Sequence, residues 1–197
     1  TDAPVIRVAL ETAPGRCIVN SINMENGRKR IEDVLPSARQ LGAAVVALTI
    51  DEDGMAHTAD KKLAIARRIH DIATGEYGLA PEALIFDVLT FPVTTAQAEL
   101  RRAAAETLEG IKHVKQPLPG VYTLLGISNV SFGLKQSARA VINSVFLHHA
   151  VQAGLDMAIV NPSHITPYAE IPEEQRRLVD DLIFDRFQET AFPAQAL

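Results

Sequence analysis

Five short apolar runs, each closed by an asparagine or an aspartate, recur along this chain with helix-like stretches between them. They are Cys17-Ile18-Val19-Asn20, Val45 to Ile50 followed by Asp51, Leu84-Ile85-Phe86-Asp87, Leu124 to Ser128 followed by Asn129, and Met157-Ala158-Ile159-Val160-Asn161. The runs are continuous rather than alternating, which predicts strands buried on both faces, as in a parallel sheet. Strands are expected to begin near residues 17, 44, 83, 121 and 156, in units of roughly 27 to 39 residues. Polar residues at the carboxyl ends of parallel strands are how a TIM-type (β/α)8 barrel offers a ring of hydrogen-bonding groups to one small ligand. The ring here is amide and carboxylate with almost no cations. It points to a neutral or donor-rich heterocycle rather than to a phosphate.

The stretches between the runs predict helices at about 29–41, 58–74, 95–116, 137–153 and 172–188. Thr58 and Thr95 suit N-caps, while Gly42, Gly75 and Gly154 stand where C-terminal caps belong. Pro36 is expected to kink or break the first helix near Leu35. Pro172 opens the last, with Glu173 and Glu174 where the helix dipole favours them. A shorter helical stretch near the start includes Val5, Ile6 and Leu10.

The net charge of −5 and the lone basic triplet Arg28-Lys29-Arg30 argue against a nucleic-acid partner. No apolar run approaches the roughly 18–20 residues that a membrane span needs. The single cysteine, Cys17, excludes an internal disulfide and suits a cytoplasmic protein. All 197 residues read as one domain, since Pro117-Leu118-Pro119-Gly120 is a turn between helix and strand. Yet five βα units are too few to close a barrel of eight, and an open sheet would expose two apolar edges. The expectation is that further strands belong to the same polypeptide, or that a second copy covers the edges as a homodimer.

The candidate binding residues lie at the strand ends. Asn20 and Asn23, in Asn20-Ser21-Ile22-Asn23, can each read a ring carrying donors and acceptors, or cap the following turn. Asp51-Glu52-Asp53-Gly54 has the acids of a metal loop but lacks the bidentate glutamate at the required offset, leaving a solvated or ligand-contacting loop. Asp87 is a carboxylate between apolar neighbours with no cation beside it in sequence. Its partner is then either an arginine from a helix or a ligand edge with two parallel N–H groups, such as a 2-amino-4-oxo pyrimidine. Gly126-Ile127-Ser128-Asn129-Val130-Ser131-Phe132-Gly133-Leu134 is the densest polar loop, Arg139 follows on the next helix, and Asn161-Pro162 closes the last strand. His148 and His149 are adjacent on a helix and cannot both face one metal; no metal site is expected in this chain. No nucleophile motif, P-loop or paired catalytic carboxylates occur.

Taken together, Asn20 to Asn23, Phe86-Asp87 with Phe91-Pro92, Gly126 to Leu134, Asn143 to Leu147, and Gly154 to Pro162 resemble the pterin-binding domain of cobalamin-dependent methionine synthases over nearly the whole chain. The resemblance implies a barrel whose carboxyl face binds methyltetrahydrofolate as methyl donor. The methyl group passes to cobalamin on another domain and then to homocysteine, activated by zinc on a further one. In such a site Asn20 and Asp87 read the pterin. Asn129 stands near the methyl-bearing nitrogen as the catalytic residue, and Asn23, Ser128, Arg139 and Asn161 are further folate contacts. It also implies three barrel strands with no counterpart here. Thr1 matches the end of the family's Asp-Ser-Thr motif, so a second pterin-binding carboxylate is expected two positions upstream. A stand-alone methyltransferase serving a separate corrinoid protein and a non-catalytic pterin-binding module share these residues. A dihydropteroate synthase would need a lysine where Ser128-Asn129 stands.

Overall fold

The computed structural model describes residues 2–94 and 100–186. Helix α1 (Ala3–Thr12) leads into strand β1 (Ile18–Ile22), followed by α2 (Lys29–Gln40) and β2 (Ala44–Leu48). A small hairpin, β3 (Ile50–Asp51) with β4 (Gly54–Met55), precedes α3 (Ala59–Asp71), β5 (Leu84–Asp87) and α4 (Ala103–Lys115). Then come β6 (Tyr122–Gly126), α5 (Gln136–Gln152), β7 (Met157–Ile159) and α6 (Glu173–Ile183). Thr1 and Thr95 lie outside the described residues, as does the start of the helix expected at 95–116.

Strands β1, β2, β5, β6 and β7 form one parallel sheet in that spatial order. Spatial order equals chain order, so the sheet never reverses direction of growth. A doubly wound sheet reverses at a switch point and carries helices on both faces; right-handed crossovers that march one way keep their helices on one side. Side-chain burial agrees. Val45, Ala47, Leu84, Phe86 and Leu125 point into the large core beneath the helices, whereas Ala44, Val46, Ile85 and Leu124 form a separate small cluster on the other face. This is the two-faced construction of a TIM barrel wall: helices outside, a narrow inner layer within.

The expectation of strands buried on both faces holds for β2 and β5 and fails at the flanks. Ile18 on β1 and Ile159 on β7 are 54% and 55% exposed, because no described residue covers the inner face at either margin. Two helix expectations also differ. α2 runs through Pro36 to Gln40; Pro36 is exposed and removes one backbone bond, whose acceptor on the exposed Glu32 is open to water. Gly75 ends nothing: α3 continues as a π-helical turn over Ile72–Glu76, and the left-handed residue is Gly78, at φ +61°. Gly42 and Gly154 do take left-handed positions after α2 and α5, and Thr58 Oγ1 accepts the Lys61 N–H as the cap of α3. Pro172 stands at the N-cap of α6, with Glu173 and Glu174 in its first turn.

Candidate functional site

Strand periodicity decides which polar residues share a face. Alternate residues point the same way, and the register pairs Asn20 with Val46, Leu48 with Asp87, and Asp87 with Leu124. Asn20, in the middle of β1, and Asp87, the last residue of β5, therefore stand on the inner face with Val46, Ile85 and Leu124. Gly126 is in register with Ile159 on the same face. Asn129 belongs to the 3-10 turn that follows β6 (Ile127–Ser131), and its Nδ2 lies 3.0 Å from where a Cβ on Gly126 would sit. The amide of Asn129 is thus folded back over the inner face. Three candidates from three strands converge on one side of the sheet.

Their hydrogen bonding separates them from the remaining candidates. Among the described residues, the side-chain amides of Asn20 and Asn129 make no protein hydrogen bond, and both residues are exposed. Asn23 instead accepts the Glu25 N–H at 3.1 Å, and Asn161 accepts the Ser163 N–H at 3.1 Å; both close turns of their own backbone. Ser128 contributes its carbonyl to Arg139 Nη2 at 3.3 Å. Arg139 Nε also donates to Ser131 Oγ at 3.2 Å, and Ser131 Oγ donates to the buried Asn143 Oδ1 at 2.7 Å. This network ties the β6 loop to α5, so Arg139 fixes the turn from which Asn129 projects.

Asp87 is half-buried. Its Oδ1 accepts the Leu89 N–H at 2.9 Å, leaving Oδ2 without a hydrogen bond among the described residues. Burial pushes the carboxyl above its ordinary range, against the pull of the Leu89 N–H and of the Lys62 ammonium. Lys62 is the cation that sequence reasoning missed. It is fully buried on α3, and its Nζ donates to the carbonyls of Ala56, Val88 and Leu89. A signal existed: Ala59, Lys62, Ala66 and Ile69 recur at helical spacing, so Lys62 sits on the apolar stripe of α3. In the same loop Thr90 Oγ1 is buried with no partner among the described residues.

The acidic loop after β2 is occupied by the protein itself. Asp51, 3% exposed, lies 2.7 Å from Lys61 Nζ and 3.4 Å from Arg68 Nη1, both on α3, and Glu52 pairs with Arg68 at 3.2 Å. These lysine and arginine partners lower the Asp51 carboxyl despite its burial, which raises it. No group of three metal-ligating side chains occurs among the described residues. None of their helices is long and apolar enough to cross a membrane.

The inner face thus offers two amides and a carboxylate whose hydrogen-bonding capacity the described residues leave open. Residues 1–161 match the family described as pterin binding enzyme. The chain belongs to that family. Its five βα units are those of a partial TIM barrel, the family's fold. Over 200 aligned positions the chain is 47% identical to methionine synthase of Mycobacterium tuberculosis (strain ATCC 25618 / H37Rv). It is 46% identical to methionine synthase of Mycobacterium leprae (strain TN). Both alignments cover 100% of this chain and 17% of the relative, so the chain spans about a sixth of the length of those proteins.

Proposed function

We propose that this chain forms the folate-binding wall of a cytoplasmic, cobalamin-dependent methionine synthase. It holds methyltetrahydrofolate so that its methyl group can be taken by cobalamin carried on another domain. The observation that supports this most is the convergence of Asn20, Asp87 and Asn129 on one face with hydrogen-bonding capacity unspent. Asp87 Oδ2 accepts from the amino and ring N–H groups of the pterin, a pairing worth most where the carboxylate is shielded from water. Asn20 reads a neighbouring edge of the ring. The methyl-bearing nitrogen has to gain a proton before it leaves as a neutral amine. Asn129, whose amide can donate or accept, stabilises that change rather than the ground state. Arg139 acts through the β6 loop.

The rest of the barrel belongs to the same reading. A groove of about 290 Å3 between α1 and β1 is lined by Val5, Ala9, Ile18, Val19 and Asn20, on the free edge of the sheet. A parallel strand laid there would cover Ile18 and bring a further side chain beside Asn20. We assign that place to barrel strands of the same polypeptide. Zinc and homocysteine chemistry belongs, in this reading, to other domains of the same polypeptide.

Calorimetry with methyltetrahydrofolate tests the assignment, on this chain and on a polypeptide extended upstream through the additional strands. The extended protein is expected to bind, and Asp87→Ala to abolish binding while leaving it folded. A folded extended protein indifferent to the ligand would sink the folate assignment.

A further inference from the structure

A lysine is rarely enclosed completely, and Lys62 is 0% exposed. Its Nζ is 3.0 Å from the Ala56 carbonyl and 3.3 Å from that of Leu89, with Val88 O as the third acceptor. Three carbonyls, one for each proton, are the complement of an ammonium. The Phe91 ring centroid lies 5.1 Å away, adding a cation–π contact, and the exposed His57 packs against that ring at 4.5 Å with the planes tilted by 42°. The charged groups that face Lys62 are Asp87 on β5 and Glu106 on α4. A methionine would occupy the same volume without the cost of desolvating a charge, but would leave these carbonyls without their common donor. What the lysine adds over an apolar side chain is therefore the fixed position of those carbonyls.

What Lys62 holds is the turn behind Asp87. Leu89 has φ +64°, a left-handed conformation that a residue with a branched side chain adopts only when its surroundings impose it. They do so from both ends. The Leu89 carbonyl takes Lys62 Nζ and, at 2.9 Å, Thr107 Oγ1, while its N–H is held by Asp87 Oδ1 at 2.9 Å. The lysine stem runs in a channel that α4 leaves open: a Cβ on Gly110 would lie 2.6 Å from Lys62 Cδ. Since Nζ is pinned by three acceptors, the stem has little freedom to give way.

We propose that Lys62 is the positioning residue of the pterin-binding carboxylate. Its ammonium clamps the Val88 and Leu89 carbonyls, fixing the left-handed turn whose Leu89 N–H occupies one oxygen of Asp87 and aims the other at the ligand. Gly110 is part of this device, because only a residue without a side chain admits the stem. The proposal rests on the reading of Asp87 as a pterin ligand. Lys62 itself touches no substrate. It also supplies the cation that Asp87 faces, and so helps keep the carboxyl ionised in a half-buried place.

The test compares Lys62→Met, Gly110→Ala and Asp87→Ala in the full polypeptide, with methyltetrahydrofolate affinity measured calorimetrically from about pH 5.5 to pH 8.5. Thermal unfolding checks that each variant folds. Lys62→Met is expected to weaken binding about tenfold to a hundredfold near neutral pH, as a displaced site group does. Its affinity should also fall away at higher pH than the wild type's on acidification, because a carboxyl without a facing cation takes up its proton sooner. Gly110→Ala should weaken binding in the same direction although it touches neither Asp87 nor the ligand. A folded Lys62→Met protein with the affinity and pH profile of the wild type overturns the proposal. Should that variant not fold, a folded Gly110→Ala protein with unchanged affinity and profile overturns it instead. Normal binding by Asp87→Ala would defeat the pterin reading itself, whatever Lys62 does.

Discussion

Asn129 lies over a residue that has no side chain, and that neighbour sets its position. A Cβ on Gly126 would lie 3.0 Å from the Asn129 amide nitrogen, so Gly126→Ala displaces that amide by a few tenths of an ångström. The expected result is a fall of about tenfold or more in methyl transfer from bound folate, with pterin affinity altered less, measured by single-turnover kinetics. A fall in affinity with the rate from bound folate unchanged would mean that Asn129 serves binding alone. At this scale residue types were legible and partners were not. Asn20 and Asn23 have the same chemistry three positions apart, yet Asn23 closes a turn on Glu25 while Asn20 stays open. Asp87 has no cation beside it in sequence, and its helix partner is not an arginine but Lys62, 25 positions away on another element. Only the packing of α3 beneath the end of β5 brings them together.

Helix α3 carries more of the site than its sequence suggests. One side supplies Lys62 to the β5 turn; another supplies Lys61 and Arg68 to the acids of the β3–β4 hairpin. Its start is fixed twice, by Thr58 Oγ1 accepting the Lys61 N–H and by Glu106 Oε2 of α4 accepting the Ala59 N–H at 2.8 Å. Thr58→Ala should therefore lower stability by about 1 kcal/mol in urea titration, the usual loss for a single cap. A change near zero would show that the Glu106 contact carries the terminus by itself. Helix existence was readable from periodicity, whereas endings were not. Gly75 is where a cap is expected from sequence, yet a π-helical turn carries the chain past it to Gly78, since Ala73 is buried in the core and holds that turn in place. Pro36 did not end α2, because four residues of its apolar stripe, Ile31, Val34, Leu35 and Ala38, are buried and outweigh one missing bond.

For the whole molecule, the open margins of the sheet govern behaviour in isolation. Ile18, Val5 and Val8 are exposed along the β1 side, and an apolar parallel edge is a template for association. The chain by itself is expected to run above its 21.4 kDa mass in light scattering, and Ile18→Lys to restore the monomer. A monomeric wild type would show that the edge is innocuous. At the other side α6 is joined to α5 through His149 Nε2 and Asp180 Oδ1, 2.6 Å apart, and His148 stacks on Tyr168 at 3.9 Å. Burial, then the neighbouring His149, pushes the His148 pKa below its ordinary value, with Asp180 opposing. The folded state thus binds this proton less readily than the unfolded one. Its contribution to stability is full above the unfolded pKa of about 6.5 and is lost as pH falls through that value towards the folded one. His148→Phe, which keeps the stack, should flatten the decline in thermal midpoint between about pH 7 and pH 5.

The order and spacing of the five βα units, the apolar runs that become their strands and the grouping of Asn20, Asp87 and Asn129 in one motif set were legible in the sequence itself, although of those strands only β5 ends on its polar residue, Asp87. Strand and helix periods are local properties, and a polar residue that ends an apolar run is visible without a fold. Tertiary structure alone decided that the helices cover one face, that Lys62 reaches the turn behind Asp87, and that Gly110 and Gly126 leave room for Lys62 and Asn129. It also decided that Asn23 and Asn161 spend their oxygens on their own turns. The covered face, the reach of Lys62 and the channel at Gly110 depend on where segments distant in sequence meet, and a buried contact is a property of both partners, so neither segment announces it alone. Gly126, Asn23 and Asn161 act across two or three positions, where the path of the backbone chooses between local partners.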